Sequence, residues 1–197
     1  MDNSEAVFHN KFKERLTNRE RQVGIWSNLA SNISSEILSF AGFDWVLFDM
    51  EHAPNDIHSL ITQLQAMKGS GTSPIVRPVW NDVVEIKRLL DIGFHNFIVP
   101  FVQNVDEAKQ AVSGVRYPPR GRRGVSVGAR GSSYGYTKNY WHKIEDHIGL
   151  VVQVETLEAL DNIKEIFSVD GIDGIFVGPS DLAASMGHLA DTGNPVV

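Results

Sequence analysis

Short apolar segments alternate with amphipathic segments along this chain of 197 residues, and no other feature restricts the fold as strongly. The apolar segments are bounded by Gly, Pro, Asn or Asp and are rich in β-branched and aromatic residues, which is typical of buried strands. Six strands are predicted, at residues 23–26, 45–48, 75–76, 97–99, 150–154 and 175–177. Because strands that alternate with helices pair in parallel through right-handed crossovers, the pattern predicts an α/β protein.

The amphipathic segments between these strands have the spacing of helices. Residues 57–64, 83–90 and 157–167 each place their apolar side chains on one face. Residue types that commonly cap helices predict where the helices begin, at Ser34 or Ser35, Asp56, Asp82 and Asp106.

Two architectures fit this alternation, a (β/α)8 barrel of the TIM type and an open doubly wound sheet. The first strand is followed by Trp-Ser-Asn-Leu at residues 26–29, without the glycine-rich fingerprint of dinucleotide-binding sheets. Polar residues follow nearly every strand, as in barrels, whose active sites lie at the carboxyl ends of the strands. We predict one barrel domain over residues 1–197, incomplete after about six βα units, because a full barrel needs about 250 residues.

The composition excludes several classes of protein. The net charge of −6 argues against nucleic acid and anionic membranes as partners, and no apolar run approaches the roughly 20 residues that cross a bilayer. The absence of cysteine excludes disulfides, thiolate metal sites and cysteine nucleophiles. We therefore expect a cytoplasmic protein that acts on small molecules.

Acidic side chains follow two neighbouring predicted strands, at Glu155 and Asp181. In a barrel these two carboxylates would share one cation, and oxygen ligands without Cys or His favour a hard ion such as Mg²⁺ or Mn²⁺. The alternative is that both are solvated loop acids. The other polar residues at or after strand ends are Asp49, Glu51, His52, Arg77, Gln153 and Ser180, and Gly178 accompanies them.

Two of these residues have the chemistry of catalytic groups. His52 is a candidate general base, and Asp91 is its candidate partner across the fold. Arg77 is a candidate for stabilising a developing oxyanion. The alternatives are a structural histidine and an ion pair that joins two loops.

The positions of the lysines bear on the choice of mechanism. None of the eight lysines lies in or directly after a predicted strand, whereas a Schiff-base enzyme on a barrel needs one at the mouth. A metal is therefore favoured over an imine as the electron sink. The arginine-rich loop at residues 114–136 is interpreted as a lid for anionic substrates, an RNA contact or a contact between subunits.

Several motifs in this order resemble the metal-dependent 2-oxo acid aldolases of the HpcH/HpaI family. They are Glu-His-Ala-Pro-Asn-Asp at residues 51–56, together with residues 43–45, 86–93, 116–119, 124–127 and 171–187. The resemblance implies a barrel of the pyruvate/phosphoenolpyruvate aldolase kind and a homo-oligomer, often a hexamer. It also implies cleavage of a 4-hydroxy-2-oxo acid, such as 2-dehydro-3-deoxyglucarate, into pyruvate and an aldehyde such as tartronate semialdehyde.

The same resemblance implies a role for each site residue. Glu155 and Asp181 would hold the divalent metal, Mg²⁺ before Mn²⁺ or Co²⁺, and Arg77 would face the enolate oxygen. His52 would be the catalytic histidine, paired with Asp91. The residues that would bind pyruvate are Trp26, Gln153, Gly178, Ser180 and Asp181.

Two features depart from the family pattern. Met50 occupies a position that is usually Gly, where a side chain would narrow the mouth or shift His52. The chain also ends about two βα units before the family does. Two alternatives therefore stay open: a non-catalytic remnant that binds a 2-oxo acid or a full-length homologue, and an acyl-CoA carbon–carbon lyase of the citrate-lyase type.

Overall fold

Within residues 6–197, six parallel strands form one sheet in the order in which they occur along the chain. The computed structural model describes residues 6–197, so the first five residues of the predicted domain lie outside the described part. The strands are β1 (Gly24–Ser27), β2 (Trp45–Asp49), β3 (Ser73–Arg77), β4 (Asn96–Val99), β5 (Gly149–Val154) and β6 (Gly174–Val177). Sequential order is the topology of a (β/α) barrel, because the strand order of a doubly wound sheet reverses at a switch point.

The helices follow the strands in the expected alternation. They are α1 (Lys11–Thr17), α2 (Asn32–Phe40), α3 (Ile57–Ala66), α4 (Val83–Ile92), α5 (Val105–Val115), α6 (Tyr140–Lys143), α7 (Leu157–Asp161), α8 (Ile163–Phe167) and α9 (Pro179–Ser185). Short 3-10 turns lie at Ala6–Phe8, Arg130–Ser132 and Ile144–His147. Within residues 6–197, no helix combines the length and apolar character needed to cross a membrane.

The sheet is curled, so that its two faces pack against different layers. Alternate residues of the strands, such as Val46 and Phe48, pack outward against the helices in the larger apolar cluster. The strand residues between them, Leu47, Ile75, Ile98 and Val151, form a smaller inner cluster with Phe12 of α1. The rings of Trp26 on β1 and Phe176 on β6 lie 5.4 Å apart, although these strands are the two edges of the sheet. This contact across the inner layer defines a half-barrel.

Two helix starts are confirmed, and two differ from the prediction. Asp56 and Asp82 cap α3 and α4 as predicted. The cap of α2 is Ser31, not Ser34 or Ser35, because the Ser34 N–H donates to Ser31 Oγ while Ser35 lies inside the helix.

The second differing helix start is that of α5, and a further difference lies in the segment after β5. The cap of α5 is Asn104, which accepts from the Glu107 N–H, so the predicted cap Asp106 lies in the first turn. The helical segment predicted at 157–167 is divided into α7 and α8 at Asn162, whose side chain donates to the Gln103 carbonyl at 3.0 Å.

Candidate active site at the carboxyl end of the half-barrel

Strand periodicity places four polar side chains above the inner apolar layer. Successive strand residues face opposite sides of a sheet, so a residue two positions beyond an inner apolar residue also faces inward. Asp49 follows Leu47 in this way, Arg77 follows Ile75, and Gln153 and Glu155 follow Val151. The four side chains that this alternation directs inward at the carboxyl end are all buried: Asp49, Arg77, Gln153 and Glu155.

Arg77 lies between two carboxylates. Its Nε and Nη2 donate to the two oxygens of Asp49 at 2.9 and 2.8 Å, and its Nη1 lies 3.0 Å from Glu51 Oε2. Burial alone would raise the pKa of Asp49, but the Arg77 guanidinium holds that pKa below its usual value. The guanidinium also lies 5.9 Å from the Trp26 ring. The ion pair that sequence reasoning offered as an alternative is therefore present, and it fixes the direction of the arginine.

A chain of hydrogen bonds between buried side chains supports the backbone at Asp49. Asn55 donates to the Asp49 carbonyl at 2.7 Å, and Gln63 donates to Asn55 at 2.7 Å. Ser35 on α2 donates to Gln63 at 3.1 Å and completes the chain. Because buried polar groups with all their partners restrict side-chain motion, this network ties the end of β2 to α2 and α3.

Glu155 is fully buried and has two fixed hydrogen-bond donors. The Phe101 N–H donates to its Oε1 at 2.8 Å, and Gln153 Nε2 donates to its Oε2. Burial raises the pKa of Glu155, and the negative charge of the neighbouring Asp181 raises it further. A Cβ at Gly178 would lie 2.6 Å from Glu155 Oε2, so the chain passes this carboxylate at a point where only glycine fits.

These groups fit a divalent cation. A buried carboxylate whose charged form is penalised by burial and by a second carboxylate gains stability when a cation lies between them. Gln153 Oε1 is a further buried oxygen, and it has no hydrogen-bond partner in the described part of the chain. Within residues 6–197 no cluster of three or more His, Asp or Glu side chains is arranged to hold a metal, so Glu155 and Asp181 would need water or substrate to complete a coordination shell.

Phe101 has a strained backbone beside this carboxylate. Its φ angle is 53°, in the left-handed region, which costs a non-glycine residue about 1–3 kcal/mol. Its ring stacks on Trp80 with centroids 5.3 Å apart and planes 25° apart. Aromatic pairs contribute about 0.5–1.5 kcal/mol beyond their buried area, which is comparable with the strain.

Sequence reasoning did not give Glu51 or Phe101 a role. Glu51 lies two residues after Asp49, so the period-2 pattern of β2 is a signal that places it on the same side. Burial raises the pKa of Glu51 although Arg77 is close to it. A Phe with positive φ has no sequence signal, because nothing in the residue type favours that backbone.

His52, Ser180 and Met50 lie at or next to the mouth. His52 is 64% exposed, and its Nε2 lies 3.8 Å from Glu51 Oε1. Ser180 is in the first turn of α9, next to Asp181. The expectation that Met50 narrows the mouth is wrong, because Met50 alternates with Asp49 and packs outward against the helix-facing cluster.

Asp91 is not brought to this site within the chain. It is the next-to-last residue of α4, which leads into the amino end of β4, whereas His52 follows the carboxyl end of β2. The two residues therefore lie at opposite ends of the half-barrel. Burial raises the pKa of Asp91, while nearby Arg123 and Lys87 act in the opposite direction.

Comparisons with known proteins agree on one family. The model of the HpcH/HpaI aldolase/citrate lyase family matches residues 22–197. The chain is 54% identical to a 5-keto-4-deoxy-D-glucarate aldolase of Enterobacter sp. strain 638, over 98% of this chain and 76% of that protein. It is 50% identical to the protein of the same name from Klebsiella pneumoniae, over 100% of this chain and 76% of that one.

The fold agrees with a solved structure of the same family. The crystal structure of a HpcH/HpaI aldolase/citrate lyase family protein from Burkholderia cenocepacia J2315 superimposes with a TM-score of 0.93 at 36% identity. The superposition covers 96% of this chain and 76% of that chain.

Proposed function

Because the chain belongs to the HpcH/HpaI aldolase/citrate lyase family, we propose that it is a divalent-metal-dependent aldolase that reversibly cleaves a 4-hydroxy-2-oxo acid into pyruvate and an aldehyde. The names of its relatives favour a keto-deoxy-glucarate as substrate, which would give tartronate semialdehyde as the aldehyde. The observation that supports this most strongly is the buried Glu155 carboxylate, which lies near Asp181 and belongs to the same group of charges as Arg77.

Glu155 and Asp181 would hold the metal, for which Mg²⁺ is preferred over Mn²⁺ or Co²⁺. When bound, the ion would supply Lewis-acid polarisation of the 2-oxo group. The first-turn N–H groups of α9, at Ser180 and Asp181, have no acceptor within the helix, so they are suited to the substrate carboxylate. Trp26, Gln153 and Gly178 would line the pyruvate side of the site.

Arg77 would stabilise the negative charge that develops when the bond between C3 and C4 breaks. The electron pair of that bond passes to the pyruvate fragment, and its oxygen becomes an enolate. Asp49 and Glu51 hold the guanidinium in place before the reaction, so no reorientation is needed. His52 at the mouth, directly or through a water, would accept the proton of the 4-hydroxyl.

We further propose that the protein works as a homo-oligomer, with the hexamer of the family as the expected state. The position of Asp91 supports an assembly in which copies meet at their ends, because pairing of Asp91 with His52 is not available within one chain. In that assembly Asp91 of one copy would orient His52 of another.

Exchange of the pyruvate methyl protons in D₂O, followed by NMR, tests the proposed function. Formation of the enolate requires no aldehyde, so we expect exchange with Mg²⁺ that stops on chelation. Glu155→Gln should abolish the exchange, and the control Glu158→Gln, an exposed neighbour on α7, should not. A folded wild-type sample without metal-dependent exchange would contradict the proposal and favour the non-catalytic remnant.

A further inference from the structure

We propose that Trp80 is a positioning residue: its indole, stacked on the ring of Phe101, holds the Phe101 N–H against Glu155 Oε1. This inference rests on the metal site proposed above, because its consequence is the orientation of a metal-binding carboxylate. Neither residue touches substrate or metal in this proposal. Trp80 acts through Phe101, and Phe101 acts through its backbone.

The backbone of Phe101 positions the N–H group that donates to Glu155. Phe101 follows the end of β4, and the next residue, Val102, donates its N–H to the Gln153 carbonyl at 3.4 Å. Between β4 and that contact, the chain turns through the left-handed conformation of Phe101 and presents the Phe101 N–H to Glu155. Strained non-glycine backbone persists only where its surroundings hold it, and it is concentrated at functional sites.

Phe101 is held in place through its ring. Its ring stacks on Trp80, which remains 55% exposed and so is not fixed by burial in the core. The backbone around Trp80 is instead anchored on both sides. The N–H groups of Val79 and Trp80 donate to Glu85 at 3.1 and 3.4 Å, and the buried Asn81 donates to the Glu107 carbonyl at 2.9 Å.

These contacts make the rim at residues 79–81 a rigid support for the ring of Phe101. The rim is attached to α4 through Glu85 and to α5 through Glu107. Without the stacked indole, Phe101 would relax from positive φ and its N–H would leave Glu155. The carboxylate would then keep only its Gln153 donor and would turn more freely.

Calorimetric titration with Mn²⁺ tests this role in variants that alter only the exposed ring. We expect Trp80→Leu to weaken Mn²⁺ binding about five-fold, the size of effect that follows from losing one aromatic pair. Trp80→Phe keeps a ring and should bind within two-fold of wild type. Tyr136→Leu removes a more exposed aromatic ring from the loop before α6 and should not change the affinity.

A double-mutant cycle separates this role from general destabilisation. Phe101→Leu should weaken Mn²⁺ binding as Trp80→Leu does, and the double variant should be no weaker than either, because both remove the same stack. Additive losses, or wild-type affinity in Trp80→Leu, would overturn the inference and leave the proposed metal site intact. Absence of Mn²⁺ binding in the wild-type protein would overturn the metal site and this inference together.

Discussion

Asp49 and Glu51 share one guanidinium, yet their pKa values shift in opposite directions. Both carboxylates are removed from water, which raises the pKa of an acid. Asp49 receives two hydrogen bonds from Arg77, and its pKa is lowered. Glu51 receives from Arg77 only the ion pair with Nη1, and burial keeps its pKa raised. At Asp49 the bidentate contact with Arg77, together with the backbone N–H groups of Glu51 and His52, therefore outweighs burial, whereas the single contact at Glu51 does not.

Asp49→Asn should destabilise the fold, because it removes the better partner of a buried arginine. Breaking a buried ion pair costs about 3–5 kcal/mol, and we expect a loss of about 3 kcal/mol in the free energy of unfolding in urea. Asp44→Asn is the matched control, since Asp44 pairs with Arg15 at the surface and its loss should be smaller. Equal losses of unfolding free energy in the two variants would contradict the role of Asp49 as the main partner of a buried Arg77.

Arg77→Lys tests the arginine without removing its charge. Lysine cannot reproduce the bidentate contact with Asp49, so the cation would no longer be held toward the enolate oxygen. Removal of one preoriented oxyanion donor costs about 10²–10³ in rate, and we expect a loss of that size in the exchange of pyruvate protons. A rate within a factor of two of wild type would show that Arg77 serves only the fold.

At single positions, the sequence predicted which residues lie near the candidate site better than it predicted their backbone conformations and contacts. Arg77, Gln153, Glu155 and Asp181 follow strands, and barrel topology alone brings them together. The strain at Phe101 depends on the path between β4 and β5, which no pattern of residue types encodes. The predicted pairing of His52 with Asp91 is not formed within one chain. His52 follows the carboxyl end of β2, whereas Asp91 lies in the last turn of α4, which leads into the amino end of β4.

The junction between β6 and α9 is the element that brings Asp181 to Glu155. Gly178 caps α9, and Pro179 occupies its first position, so the helix begins immediately after the strand. The Gly178 N–H donates to the Val154 carbonyl at 3.1 Å, which continues the pairing of β5 with β6 to the last residue before the site. Backbone pairing therefore sets where α9, which carries Asp181, begins relative to Glu155.

Gly178→Ala should disturb this junction. The added Cβ would lie 2.6 Å from Glu155 Oε2 and 2.9 Å from Gln153 Nε2, so the Glu155 side chain must move. We expect Mn²⁺ affinity to fall at least ten-fold by calorimetry. Gly174→Ala, at the start of the same strand, is the control, because its Cβ would meet Val151 at an ordinary 3.4 Å. Unchanged Mn²⁺ affinity in Gly178→Ala would contradict this prediction, because it would mean that the Glu155 carboxylate can move without weakening the metal site.

The positions of the strands were predictable because buried strands are rich in apolar, β-branched and aromatic residues. All six predicted strands overlap the observed ones, and the sequential order followed from the alternation with helices. Helix starts were less certain, since Ser31, Ser34 and Ser35 are all suitable caps and only backbone geometry decides among them. The break at Asn162 depends on a hydrogen bond to Gln103, which is distant in the sequence.

On the scale of the whole molecule, the two ends of the half-barrel differ in chemistry. The carboxyl end has the charged groups of the candidate site, whereas His95 lies at the amino end, just before β4. His95 Nε2 is buried and has no hydrogen-bond partner among residues 6–197. Burial lowers the pKa of His95 to about 3, and the positive charges of Arg123 and Arg130 contribute.

Acid should therefore destabilise the protein through His95. Above about pH 6.5 the imidazole is neutral in both states and contributes nothing, but below that value only the unfolded chain takes up the proton. The free energy of unfolding should fall by about 2–3 kcal/mol more in wild type than in His95→Gln between pH 6.5 and 4.5. His58→Gln, at an exposed position on α3, should follow the wild type. Parallel curves for wild type and His95→Gln would contradict an imidazole that stays neutral in the folded protein.

We propose that Glu155 and Asp181 bind one divalent cation at the carboxyl end of the half-barrel. Anomalous scattering from crystals grown with Mn²⁺ and pyruvate tests this metal site directly. We expect one strong anomalous peak within coordination distance of both carboxylates, which is lost in Glu155→Gln. A peak elsewhere, or none in a crystal with ordered pyruvate, would contradict the proposed metal site.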